Sequence, residues 1–241
     1  NSNVTAIDVG IGMHAFSGGV LNGCKHITVK NCTFNLNDAI NSVGVLAQNS
    51  AYGSAATMNW SSDAHRHEDI EVSDCTFNDA FHGVIVKGQG HTYRVRNIRM
   101  IDNVVNRFGG GISTSENAYG LGTYWCDSLE MTGNTITGDT VGSSSSTSYG
   151  TYCYYTMGPV NIMNNTIRME RNASGTAQRY GIYQYSFNFS IPGTPIATEY
   201  KIRKNTILMG ASTPTTAASS ATTYGIYHYA YVRNTSNVYF P

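Results

Sequence analysis

Ile27-Thr28-Val29-Lys30-Asn31-Cys32-Thr33-Phe34 returns as Ile70-Glu71-Val72-Ser73-Asp74-Cys75-Thr76-Phe77, and four further segments fit the same template: Ile98–Val105, Leu129–Ile136, Val160–Ile167 and Tyr200–Ile207. In each copy the first and third residues are apolar, apart from the amphipathic Tyr200, and the second is mostly polar. That is the period of two of a strand with one buried face. A turn follows, closed by a small polar residue (Cys32, Cys75, Asn103, Asn134, Asn165 or Asn205), and two positions later an apolar one returns. If equivalent residues lie over one another, the asparagine amides can hydrogen-bond from rung to rung, as in stacked cross-β arrays. The Cys/Asn position recurs every 28 to 43 residues, a solenoid period whose variation falls outside the template.

A second element follows each copy: Gly44–Ala47, Gly83–Val86, Gly111–Thr114, Gly150–Cys153, Gly181–Gln184 and Gly225–His228, with Gly19-Val20-Leu21 as an earlier example. Glycine before each strand suits a tight corner with φ > 0 and leaves no side chain to obstruct neighbouring coils. The surplus length sits in Gln48–Arg66, Gly138–Tyr149, Arg171–Tyr180 and Gly210–Tyr224, rich in small polar residues, expected as insertions at one kind of corner. No segment keeps a 3.6-residue apolar period for three turns, and a β-sandwich gives no reason for the Asn/Cys column. The expected fold is all-β: a single-chain parallel β-helix of about six to seven coils, spanning residues 1–241 as one domain.

Composition narrows the function. Lys plus Arg and Asp plus Glu are 15 each in 241 residues, so no net charge draws the chain to nucleic acid or an anionic membrane. No apolar run reaches membrane-spanning length, and Asn1–Thr5 is no signal peptide. The start at Asn1 and the aromatic ending Val238–Pro241 suggest a fragment of a longer chain. Five cysteines, an odd number without CxxC spacing, argue against a disulfide framework and a zinc site; no metal or other cofactor is expected.

The six template copies resemble the right-handed parallel β-helix superfamily, which includes pectate lyases, polygalacturonases and the tailspike and tail-fibre proteins of bacteriophages. The resemblance covers the chain from about Gly19 to Tyr229 and supplies the handedness. The polar, charge-poor surface is most similar to a phage tailspike or fibre. That likeness implies an extracellular, virion-tail location, a homotrimer and recognition of bacterial surface polysaccharide. The alternatives are a polysaccharide depolymerase (glycosidase or lyase) of the same fold and a bacterial cell-surface adhesin or stalk. No sugar-lyase or polygalacturonase signature is present, so no catalytic residue carries over from those families.

Alternation along the Gly-started strands places two columns outward: Leu46, Ile85, Ser113, Tyr152, Tyr183, Tyr227, and Gln48, Lys87, Ser115, Tyr154, Tyr185, Tyr229. With coils about 4.8 Å apart, the six tyrosines are expected to form a flat aromatic plate edged with hydroxyls, suited to the apolar face and polar rim of sugars. The bland counterpart is a plate covered by a neighbouring subunit or loop. A further outer column contains Glu71, Arg99 and Glu130. The two carboxylates fit the separation of a glycosidase acid and base, but an intervening arginine favours a structural ladder. Asp79 and His82 could exchange a proton with substrate or form a polar turn. His65-Arg66-His67-Glu68 reads as a solvated loop, and His228 as a hydrogen-bonded interior residue.

Overall fold

The structure is a computed structural model describing residues 9–14, 23–36, 42–48, 63–90, 93–109, 117–138, 147–171, 178–189, 199–211, 222–233 and 239–240. Strands follow in threes. The first rung holds β1 (Val9–His14), β2 (Lys25–Lys30) and β3 (Thr33–Asn35), and the second β4 (Val43–Gln48), β5 (Glu68–Ser73) and β6 (Thr76–Asn78). The third holds β7 (His82–Lys87), β8 (Val95–Ile101) and β9 (Val104–Phe108), and the fourth β10 (Ala118–Tyr124), β11 (Cys126–Thr132) and β12 (Thr135–Gly138). Then come β13 (Ser148–Tyr154), β14 (Met157–Met163) and β15 (Thr166–Arg171), followed by β16 (Arg179–Phe189), β17 (Tyr200–Arg203) and β18 (Thr206–Ala211). β19 (Thr223–Arg233) begins a seventh rung, and β20 (Tyr239–Phe240) pairs antiparallel with it.

Each strand from β1 to β16 pairs in parallel with the strand three places on, giving three parallel sheets. Sheet A stacks β1-β4-β7-β10-β13-β16-β19, sheet B stacks β2-β5-β8-β11-β14-β17, and sheet C stacks β3-β6-β9-β12-β15-β18. The chain is therefore all-β, compatible with a solenoid, and its only helical turn among the described residues is the short 3-10 segment Asp63–His65.

All six template copies fall where the period of two puts them, the first half in sheet B and the second in sheet C. Ile27 stands beneath Ile70, Ile70 beneath Ile98 and Ile98 beneath Leu129. Phe34, Phe77, Val105, Ile136, Ile167 and Ile207 stack likewise in sheet C. The inward faces meet in one core with Val45, Val84 and Leu121 of sheet A. Burial of this apolar area is the main favourable term in folding.

The polar column closes the turn between sheets B and C. Asn134 Nδ2 donates to Asn165 Oδ1 at 2.9 Å and to Met100 O at 2.8 Å, while Asn134 Oδ1 accepts from Asn103 N and Nδ2, both at 3.0 Å. Asn165 repeats this toward Asn205 and Met131 O. Cys75 imitates the asparagine, its thiol reaching Val29 O at 3.5 Å where Asn103 Nδ2 reaches Val72 O at 2.8 Å. One residue earlier in the template, Asn31, Asp74, Asp102, Gly133, Asn164 and Lys204 all have φ between 51° and 72°. Four of these are Asn or Asp, whose short polar side chains tolerate the left-handed region.

Three expectations need correction. The fourth-rung strand of sheet A is β10, whose Leu121, Gly122, Thr123 and Tyr124 pair with Val84, Ile85, Val86 and Lys87; Gly111–Thr114, like Gly19–Leu21, lies outside the described residues. Gly122 and Tyr124 therefore occupy the column positions expected for Ser113 and Ser115. The described glycines of this column, Gly44, Gly83, Gly120, Gly150, Gly181 and Gly225, lie within the sheet A strands and have no positive φ. Their requirement is clearance: a methyl group on Gly150 would lie 2.6 Å from Gly181 O and 2.5 Å from Ile167 Cγ2. Finally, insertions occur at two kinds of corner, since residues 49–62 join sheet A to sheet B whereas 139–146, 172–177 and 212–221 join sheet C to sheet A.

Candidate binding face on sheet A

Sheet A directs its second set of side chains away from the main core, into a separate apolar cluster of Val43, Leu46, Ile85, Tyr119 and Tyr152. Three columns build this face. The two expected ones run Leu46, Ile85, Gly122, Tyr152, Tyr183, Tyr227 and Gln48, Lys87, Tyr124, Tyr154, Tyr185, Tyr229. The third, which the alternation counted from glycine missed, runs Val43, His82, Tyr119, Tyr149, Tyr180, Tyr224. Its signal was the Tyr-Gly dipeptide of Tyr119-Gly120, Tyr149-Gly150, Tyr180-Gly181 and Tyr224-Gly225.

Within the first and third columns the rings lie nearly parallel, Tyr183 and Tyr227 5.0 Å apart at 8° and Tyr180 and Tyr224 4.8 Å apart at 8°, whereas Tyr124 and Tyr154 of the second meet at 64°. Between the first and third columns they are steeply inclined, Tyr180 meeting Tyr183 at 88° and Tyr224 meeting Tyr227 at 75°, whereas Tyr152 and Tyr154 of the first and second lie 14° from parallel. Offset stacking and edge-to-face contact are the arrangements the ring quadrupole favours. The flat plate expected from alternation is thus a grid of stacked and inclined rings, which cover part of one another's faces.

The rungs differ in exposure. Leu46 is fully buried and Tyr152 is 9% exposed, Tyr183 and Tyr227 are half-buried, and Tyr229 reaches 41%. Burial, reinforced by Tyr227 and Tyr180, pushes the Tyr183 phenol up to about 12, and burial raises Tyr124, Tyr149, Tyr152 and Tyr154 further. These hydroxyls remain neutral, able both to donate and to accept. At the adjoining corner Trp125 and Tyr155, both at φ 53°, stack 4.1 Å apart, and Tyr155 meets Tyr154 and Tyr185 edge-on.

The other candidates are dispersed. Asp79 pairs with Arg107 of the next rung at a left-handed turn. His82 belongs to the third aromatic column, buried and stacked on Tyr119 at 5.2 Å. On sheet B, Arg99 bridges Glu71 at 2.6 Å and Glu130 at 3.3 Å, while Ser73 Oγ donates to the other Glu71 oxygen at 2.9 Å. Arg99 and Glu71 line a shallow hollow of about 340 Å³ with His26, Thr28, Asp69 and Asn97. Among the described residues no group of three His, Cys, Asp or Glu could hold a metal.

The histidine loop is not solvated. His67 is fully buried, its Nδ1 accepting from Cys24 N at 2.9 Å and its Nε2 3.0 Å from Gln48 O, so Nε2 is the nitrogen that donates. It ties the first two rungs together. His228 does take an inward register, above Gln184, and is exposed on β19, the last described parallel strand of sheet A.

Burial pushes His82 down to about 3 from an ordinary 6.5 and lowers His67 as well. Both rings are neutral in the folded chain, so below pH 6.5 the unfolded chain binds more protons. Their contribution is complete above about 6.5 and is lost as pH falls toward the folded values. Between pH 6.5 and 5, His82 accounts for about 2 kcal/mol of lost stability. Urea midpoints across that interval should fall less for His82→Tyr, which suits its aromatic column; an unchanged pH slope would contradict a neutral buried ring.

Comparison with protein-family models, with curated proteins and with solved structures finds no significant match for this chain.

Proposed function

We propose that the chain is a right-handed parallel β-helix that binds a bacterial surface polysaccharide on sheet A, as an extracellular homotrimer of the phage tailspike or tail-fibre kind. The observation that carries this reading is the three-column tyrosine grid of sheet A, partly exposed at Tyr183 and Tyr185, with hydroxyls at its ring edges. Partly exposed aromatic faces take the apolar side of a sugar, and phenols of either hydrogen-bonding sense meet its hydroxyls. Trp125 and Tyr155 extend the aromatic surface around the corner to sheet B.

The depolymerase reading draws on the Glu71/Glu130 pair and the hollow beside it. Arg99 weighs against it, because it ties both carboxylates into a cross-rung ladder of the kind that holds register. Asp79 and His82 offer less, one paired with Arg107 and the other buried among rings.

Incubation with capsule and lipopolysaccharide preparations should give saturable retention without new reducing ends or unsaturated sugars. Tyr183→Ala and Tyr227→Ala should each weaken that retention about tenfold while leaving sedimentation unchanged. Released sugar ends lost in Glu130→Gln would instead support an enzyme. Dissociation of an oligomer on either tyrosine replacement would make the face a subunit contact, and absence of both binding and cleavage would leave a stalk.

A further inference from the structure

The seven parallel strands of sheet A contain no Asp or Glu, whereas the strands of sheet B carry Glu68, Asp69, Glu71, Asp127 and Glu130. The sheet A strands hold three Lys or Arg residues: Lys87, Arg179 and, as the last residue of β19 in register with Phe189, Arg233. Lys87 is exposed on the third rung, 5.7 Å from the centre of the Tyr124 ring. Arg179 is 5% exposed at the start of β16, where its Nη1 donates to Ser148 Oγ at 3.0 Å. Across the β13, β16 and β19 rungs the three columns consist of nine tyrosines, Tyr149, Tyr152, Tyr154, Tyr180, Tyr183, Tyr185, Tyr224, Tyr227 and Tyr229, with no ionisable group of another type among them.

A carboxylate or sulfate laid on this grid would lose hydration without meeting a counter-charge, which is costly near buried aromatic surface. The same physics acts on the grid's own phenols, whose ionisation burial suppresses. A sugar bearing only hydroxyls escapes that cost, since each can donate to or accept from a phenol. The rungs also match such a ligand in length: ring centroids in both outer columns repeat every 5.0 to 5.1 Å, close to one pyranose in an extended chain.

We infer that the ligand of sheet A is an uncharged polysaccharide, laid along the tyrosine columns with successive sugars over successive rungs. This rests on the glycan-binding reading and specifies its substrate class. Each rung then contributes separately. Lys87, below the grid, takes no part in the affinity.

The test uses the full chain with bacterial surface glycans separated by anion exchange into neutral and acidic pools, with dextran and polygalacturonate as defined probes in affinity electrophoresis. The expected result is retention by the neutral pool, changing less than about twofold between low salt and about 0.5 M NaCl. Tyr183→Ala and Tyr227→Ala should each weaken it about tenfold, and Lys87→Gln should leave it unchanged. Tyr183→Phe and Tyr227→Phe, which keep the stacking, guard against a folding artefact and should bind more strongly than the alanine variants. Retention by the acidic pool alone, relieved by salt or by Lys87→Gln, would overturn the neutral class and leave glycan binding standing. Retention by neither pool would overturn both.

Discussion

Asn134→Leu should destabilise the fold by about 4 kcal/mol, because it strands two buried backbone groups at once. The Asn103 amide loses its acceptor at 3.0 Å and the Met100 carbonyl its donor at 2.8 Å, both inside the stack where water does not compensate. Leucine matches asparagine in length, so the loss is one of hydrogen bonds more than of packing. Asn134→Cys should cost less, since Cys75 already fills this position one rung below the asparagines, its thiol within reach of the Ser73 and Val29 carbonyls. Denaturant unfolding of the two variants checks the order; equal losses would mean that the amide ladder adds nothing beyond volume.

Gly150→Ala should lower stability by about 3 kcal/mol, the upper part of the range for overpacking a close-packed interior. The added methyl meets the Gly181 carbonyl, a backbone atom with no rotamer to change, together with Ile167 Cγ2. The same clash recurs at Gly181, where a methyl would lie 2.6 Å from Gly225 O. Gly210 is the internal control, because nothing lies within 4 Å of its added methyl. Thermal unfolding should separate Gly150→Ala from Gly210→Ala; comparable melting temperatures would refute close stacking as the reason for the glycine column.

Legibility differed from column to column. The sheet B and sheet C columns could be read because Ile70, Val72 and Phe77 repeat a pattern in which each side chain declares its own face. The Arg99 bridge was legible for the same reason, since a ladder of Glu71, Arg99 and Glu130 follows from register alone. The fourth sheet A strand was misplaced because Gly109-Gly110-Gly111 offers several glycine starts, while the strand that pairs uses Gly120. His67 was misread because its neighbours are polar, and its burial depends on Cys24 and Gln48, 43 and 19 residues away.

The amino-acid order alone determined the two-residue alternation, the turn residues and the recurrence of each column, since these follow from backbone geometry within a few residues. Only the tertiary structure decided that the tyrosines incline against one another, that the glycines serve clearance, and that His67 is buried. Each of those depends on atoms from an adjacent rung, whose distance along the chain varies with the intervening loop, so no local pattern encodes them.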